Sequence, residues 1–97
     1  MFATYCPAVE VATHCRAAAG LLLDGAESAR DARTASTLDN HSRQAQALSA
    51  TVLADPTIET LRSVGDELCL IKAAAAHHGV PSAAAQLQAA LVLAKQR

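Results

Sequence analysis

The sequence predicts an all-α fold, a compact antiparallel bundle of three to four helices with an alanine-rich core. Three observations carry this. The 97 residues include 24 alanines, and alanine is the strongest helix former and a poor strand former. Apolar residues make up 52% of the chain but aromatics only 2%, which excludes a disordered chain and leaves an all-β domain without its usual building blocks. The apolar positions recur at spacings of three and four, with Gly or Pro between most of the runs. A single domain over residues 1–97 is expected. At this length it buries roughly 60–65% of its unfolded surface, so the core is thin.

The first helix is expected over about 8–24. Pro7 suits a first helical position because its missing N–H would be unpaired there anyway. Val11, Cys15, Ala18 and Leu22 then form one stripe, widened by Val9, Ala12, Ala19 and Leu23. Asp24-Gly25 reads as a stop, since Gly commonly follows a helix. Residues 26–37 contain no large apolar side chain, only Ala26, Ala29, Ala32 and Ala35 at spacing three. They read either as an extension of the first helix to 36, which keeps its stripe in phase, or as a connector.

A second helix is expected over 38–54, capped by Thr37 or Asp39, with Ala45, Leu48 and Val52 inward. Asp55-Pro56 is the clearest boundary, because proline disfavours helix in the residue before it. The third helix, 56–78, has the best amphipathic pattern. Its stripe is Ile58, Leu61, Val64, Leu68, Ile71 and Ala75, and Glu59, Arg62, Ser63, Asp66 and Glu67 lie opposite. Gly79 ends it. Pro81-Ser82 begins a fourth helix, 82–96, with Ala84, Leu87, Leu91 and Ala94 inward. Lys95 and Arg97 stand at its C-terminal end, where the helix dipole favours cations.

Chemistry-bearing patterns are sparse. Cys6, His14, Cys15 and the pair His77-His78 have the right donors for a metal. Adjacent helical residues point about 100° apart, however, and neither C-x2-C nor H-x3-H spacing occurs. Cys15 is expected to be a small core residue with His14 beside it at the surface. Asp66-Glu67 and Glu59 read as a solvated face beside Arg62, with no cleft to perturb them. Cys69, between Leu68 and Leu70, is expected to be buried and inert. The four glycines are dispersed, so no phosphate-cradling or dinucleotide fingerprint exists. No enzyme, cofactor or metal is expected.

A net charge of −1 argues against a strong electrostatic grip on nucleic acid or anionic lipid. Ala75-Ala76-His77-His78-Gly79-Val80-Pro81-Ser82 resembles a helix-turn-helix corner. That resemblance implies a DNA-binding regulator using segment 75–91, in which only Gln86 and Gln88 could read a base edge. Phosphate contacts would fall to Lys95, Arg97 and distant arginines. Nucleic acid is therefore the secondary expectation. The small secreted helical hairpins marked by a Trp-x-Gly turn are not indicated, for the chain has no Trp.

The longest non-polar run, Ala17 to Leu23, has seven members against about 20 for a membrane span. No Lys or Arg occurs in the first fifteen residues, and Pro7 and Glu10 interrupt any apolar region, so no secretory signal is read. Three scattered cysteines imply reduced thiols and a cytoplasmic location. Export by a signal-independent machine would leave no trace. The leading functional expectation is a non-enzymatic protein–protein interaction module (an adaptor, small chaperone or inhibitor) acting through apolar helix faces. A homodimer or a tight heteromer is expected, because alanine contributes little to a core. The docking candidates are the alanine faces of the first helix (Ala12, Ala19, with Ala26) and the fourth (Ala83, Ala90), with Phe2 and Tyr5 as a reaching arm.

Overall fold

The computed structural model describes residues 7–95. Four helices account for nearly all of them: α1 (Ala8–Ser28), α2 (Ala32–Ala54), α3 (Ile58–His77) and α4 (Pro81–Ala94). There is no strand among the described residues. The all-α helical bundle is as the composition predicts.

Side-chain contacts fix the directions. Ser42 of α2 donates its hydroxyl to the Ala19 carbonyl at 2.7 Å, and the Leu38 side chain reaches Gly25, so α2 runs antiparallel to α1. His14 meets Gln86 at 2.7 Å and Val80 packs at Gly25, which makes α4 antiparallel to α1 as well. Lys72–Gln88 at 2.7 Å and Asp66–Lys95 at 3.1 Å join α3 to α4. The helix α1 is thus central, with α2 and α4 against it, and α3 packs chiefly on α4. Gly65 lies beside Ala94 and Lys95, so the first two turns of α3 run on beyond Ala94. The body is elongated, 54 × 20 × 17 Å.

Most of the expected stripes form the core. Val11, Cys15, Ala18 and Leu22 of α1 are buried, as are Ala45, Leu48 and Val52 of α2. In α3 the buried set is Leu61, Val64, Leu68, Ile71 and Ala75. Three residues assigned inward are exposed instead: Val9, Leu23 and Ile58. Val9 and Leu23 lie two and one residues from Val11 and Leu22, which turns them about 200° and 100° away from the stripe. Ile58 is the first residue of α3 and is 56% exposed. Ala84 is only half-buried, and the core of α4 runs through Ala83, Leu87, Ala90, Leu91 and Ala94. Leu38, Ser42 and Ser49 are buried beyond the expected α2 set.

The helix limits differ most around residues 24–37. Gly25 is no stop, for α1 continues to Ser28. A Cβ at Gly25 would stand 3.0 Å from Val80 Cγ2 and 3.4 Å from Leu38 Cδ1, so a side chain there would crowd two helices. Neither reading of 26–37 holds as a whole. The chain breaks at 29–31 and α2 begins at Ala32, six residues earlier than expected. The cap is Asp31, not Thr37 or Asp39. Its carboxylate accepts from the Thr34 backbone N–H at 2.8 Å and from the Thr34 hydroxyl at 3.0 Å, satisfying a donor that has no partner within the helix.

The other boundaries move by one or two residues. Pro7 is the residue before α1, and its carbonyl accepts from Val11 N–H at 2.8 Å. Residues 55–57 link α2 to α3. Asp55 closes α2, Thr57 caps α3 through Thr60 N–H, and the Thr60 hydroxyl donates to Asp55 at 2.6 Å. Gly79, at φ +76°, ends α3 as expected. Its N–H donates to Ala76 O and that of Val80 to Ala75 O at 2.8 Å, the paired bonds of a Schellman turn. Pro81 is the first residue of α4 and Arg97 lies outside the described residues.

Candidate interaction surfaces

Cys15 is fully buried, and burial pushes its thiol up to about 11, so it is a protonated core residue at neutral pH. Its neighbour His14 is half-buried. The ring Nδ1 stands 2.7 Å from Gln86 Oε1, a bond that the Nδ1–H tautomer donates. The His77 and His78 rings meet edge to face, with centroids 5.0 Å apart. Among the described residues no three His, Cys, Asp or Glu side chains converge on a metal position. Cys6 lies outside them. Asp31 is held below the usual carboxylate range, chiefly by the Thr34 backbone N–H and then by its hydroxyl, with a smaller electrostatic contribution from His78. Asp66 pairs with Lys95 across two helices, and both side chains are well exposed. Cys69, expected to be buried, is exposed, because it sits one residue round the helix from Leu68.

The helix-turn-helix residues are committed to their neighbours. Gln86 faces α1 and bonds His14. Gln88 faces α3 and accepts from Lys72 at 2.7 Å. Lys95 is held by Asp66. Gln88 and Lys95 are nonetheless exposed, and Gln86 is half-buried.

The alanines expected to make docking faces are placed inside the chain. Ala12 is 2% exposed, Ala19 3%, and Ala83 and Ala90 0%, while Ala26 is half-buried against the core. The small side chain that would let a partner helix approach has instead let α1, α2 and α4 approach each other. Phe2 and Tyr5 lie outside the described residues.

The apolar surface lies elsewhere. Among the described residues Val9, Leu23, Leu53, Ile58, Leu70 and Val92 are the large apolar side chains left in solvent, with Leu70 at 70% exposure. On α3, Cys69, Leu70, Ala73 and Ala76 are all exposed and fall on one face at spacings of one, three and three. On α2, Ala47, Ala50, Leu53 and Ala54 do the same. The sequence carried a usable signal for these. Leu68/Leu70, Val52/Leu53 and Leu91/Val92 set two large apolar residues one or two apart, and one helix face cannot bury both.

No helix of the described residues is long and apolar enough to cross a membrane. No protein-family model, curated protein or solved structure matches the chain.

Proposed function

We propose that the protein is a non-enzymatic interaction module that presents outward helix faces to a protein partner. One observation carries the reading: the C-terminal half of α3 leaves Cys69, Leu70, Ala73 and Ala76 together in solvent, with Leu70 70% exposed. Single exposed apolar residues are ordinary, whereas a contiguous patch on a helix marks a docking surface. The physical basis is the helix-in-groove mode, in which alternate turns of one helix supply apolar anchors. Leu70 is the anchor and the small residues around it let a partner come close. An adaptor, small chaperone or inhibitor role follows from this mode, and no chemistry is asked of the chain.

The test compares affinity capture by the full chain with capture by Leu70→Glu, scored by mass spectrometry after matching their melting by circular dichroism. A protein retained in stoichiometric amount by the wild type and lost by the variant supports the reading. The same proteins retained by both would refute the role given to this face.

A further inference from the structure

The outward face of α1 is a separate surface. Val9, Thr13, Arg16, Gly20, Leu23 and Glu27 follow one another at four, three, four, three and four, and every one is exposed. This is the seam spacing of a helix that packs on one other helix. It is not used within the chain, where α2 and α4 cover the other sides of α1.

Two features of this seam are unexplained by the fold. Gly20 lies inside a helix of 21 residues, where glycine is the poorest former after proline. A Cβ there would meet nothing within 4 Å, so no neighbour in the chain requires its absence. Leu23 stands one turn along, 42% exposed. Arg16 and Glu27 flank the two, and neither enters an ion pair among the described residues.

We propose that this face docks a second copy of the chain, with the two α1 helices antiparallel about a two-fold axis between Gly20 and Leu23. In that register Leu23 lies over the partner's Gly20, filling the space its missing side chain leaves. Arg16 then lies opposite the partner's Glu27, and symmetry makes each of these contacts twice. A parallel arrangement would set Arg16 on the partner's Arg16 and Glu27 on the partner's Glu27. An antiparallel pairing shifted one repeat would set Arg16 on Gly20 and Glu27 on Val9. Only one of the three registers satisfies shape and charge together. The net charge of −1 offers little general repulsion to two copies meeting.

The overlap covers residues 15–28 of each helix, about 20 Å at 1.5 Å per residue. That is a small interface, so the dimer is weak and reversible. It extends the interaction-module reading to a different face and a stated occupant, and it does not involve Leu70.

Charge exchange tests it, with the full chain studied by sedimentation equilibrium at low ionic strength up to about 1 mM. Arg16→Glu and Glu27→Arg each turn both symmetric pairs repulsive, and each should weaken self-association about tenfold or more. An equimolar mixture of the two variants restores both opposite-charge pairs and should dimerise as the wild type does. Both sites are exposed, and circular dichroism confirms that the variants remain folded. A wild type that stays monomeric throughout overturns the proposal. So do variants that dimerise unchanged, or a mixture that does not associate. Leu70-dependent capture measured on monomeric Arg16→Glu separates this outcome from that of the α3 reading.

Discussion

Adding a single methyl group to a glycine has opposite consequences at two positions of this bundle. At Gly20 the new Cβ meets nothing within 4 Å, and the residue is helical in both forms. Alanine there gains its full helix-propensity advantage, about 1 kcal/mol, which raises Tm by about 4–8 °C for a domain of this size. Gly79 also has open space around it, but its φ is +76°. An L-side chain in that region costs about 1–2 kcal/mol, and the Schellman bonds of Ala75 and Ala76 hold the backbone there. Gly79→Ala should therefore lower Tm by about 5–10 °C. Gly25→Ala is the intermediate case, because the methyl would stand 3.0 Å from Val80 Cγ2. Crowding of about 1–3 kcal/mol outweighs the helical gain there, leaving a net loss near 1 kcal/mol. Thermal melts followed at 222 nm, on chains dilute enough to be monomeric, rank the variants Gly20→Ala, wild type, Gly25→Ala, Gly79→Ala. A Gly79→Ala melt at or above wild type, or a Gly20→Ala melt below it, would show the local geometry to be misread.

Three further outcomes follow from the same packing. Leu68→Ala, at a site 0% exposed, should cost about 2–5 kcal/mol out of roughly 5–15 kcal/mol in total. Its urea midpoint drops sharply, and an unchanged midpoint would contradict the burial. Asp31→Ala should melt a few degrees lower at pH 7. The Asp31 carboxyl lies below its ordinary value of 3.8 in the fold, so its stabilisation is complete above about pH 4 and is lost as pH falls through the folded value. The difference between wild type and variant should accordingly vanish in acid. Cys15 has the reverse linkage. Its folded value, about 11, lies above the ordinary 9.0, so the unfolded chain ionises first and stability declines as pH rises from about 9. In a Cys6→Ser background a thiol reagent should modify Cys69 at once and Cys15 only on unfolding, and two equally fast thiols would refute this.

The α3 stripe and the Gly79-Val80-Pro81 corner were legible because large side chains and strong punctuation coincide there. The break at 29–31 was not, because it contains neither Gly nor Pro. Its signature is Asp31 followed three residues later by Thr34, a local hydrogen-bond exchange that periodicity does not register. The orientation of the alanines was not legible for a related reason. An alanine is compatible with interior and exterior alike, so Ala12, Ala19, Ala83 and Ala90 gave no contrast by which to orient a face. Leu23, Leu53 and Leu70 did offer contrast, as the second member of an apolar doublet that cannot turn inward. Ser42 carries no apolar signal, and its burial rests on a hydroxyl satisfied internally by the Ala19 carbonyl.

The molecule has a length of 54 Å against a width of 20 Å. Its radius of gyration, 13.5 Å, exceeds the roughly 12.5 Å of a typical globule of this chain length. A particle of that shape meets more viscous drag than a sphere of equal mass. In gel filtration a single chain will elute ahead of spherical standards of 10.0 kDa and can pass for a pair. Mass must be read by a method independent of friction, such as equilibrium sedimentation or light scattering. The same anisotropy is useful in solution. Amide bonds along the helices lie near the long axis and tumble differently from those in the turns, so ¹⁵N relaxation rates report helix orientation directly.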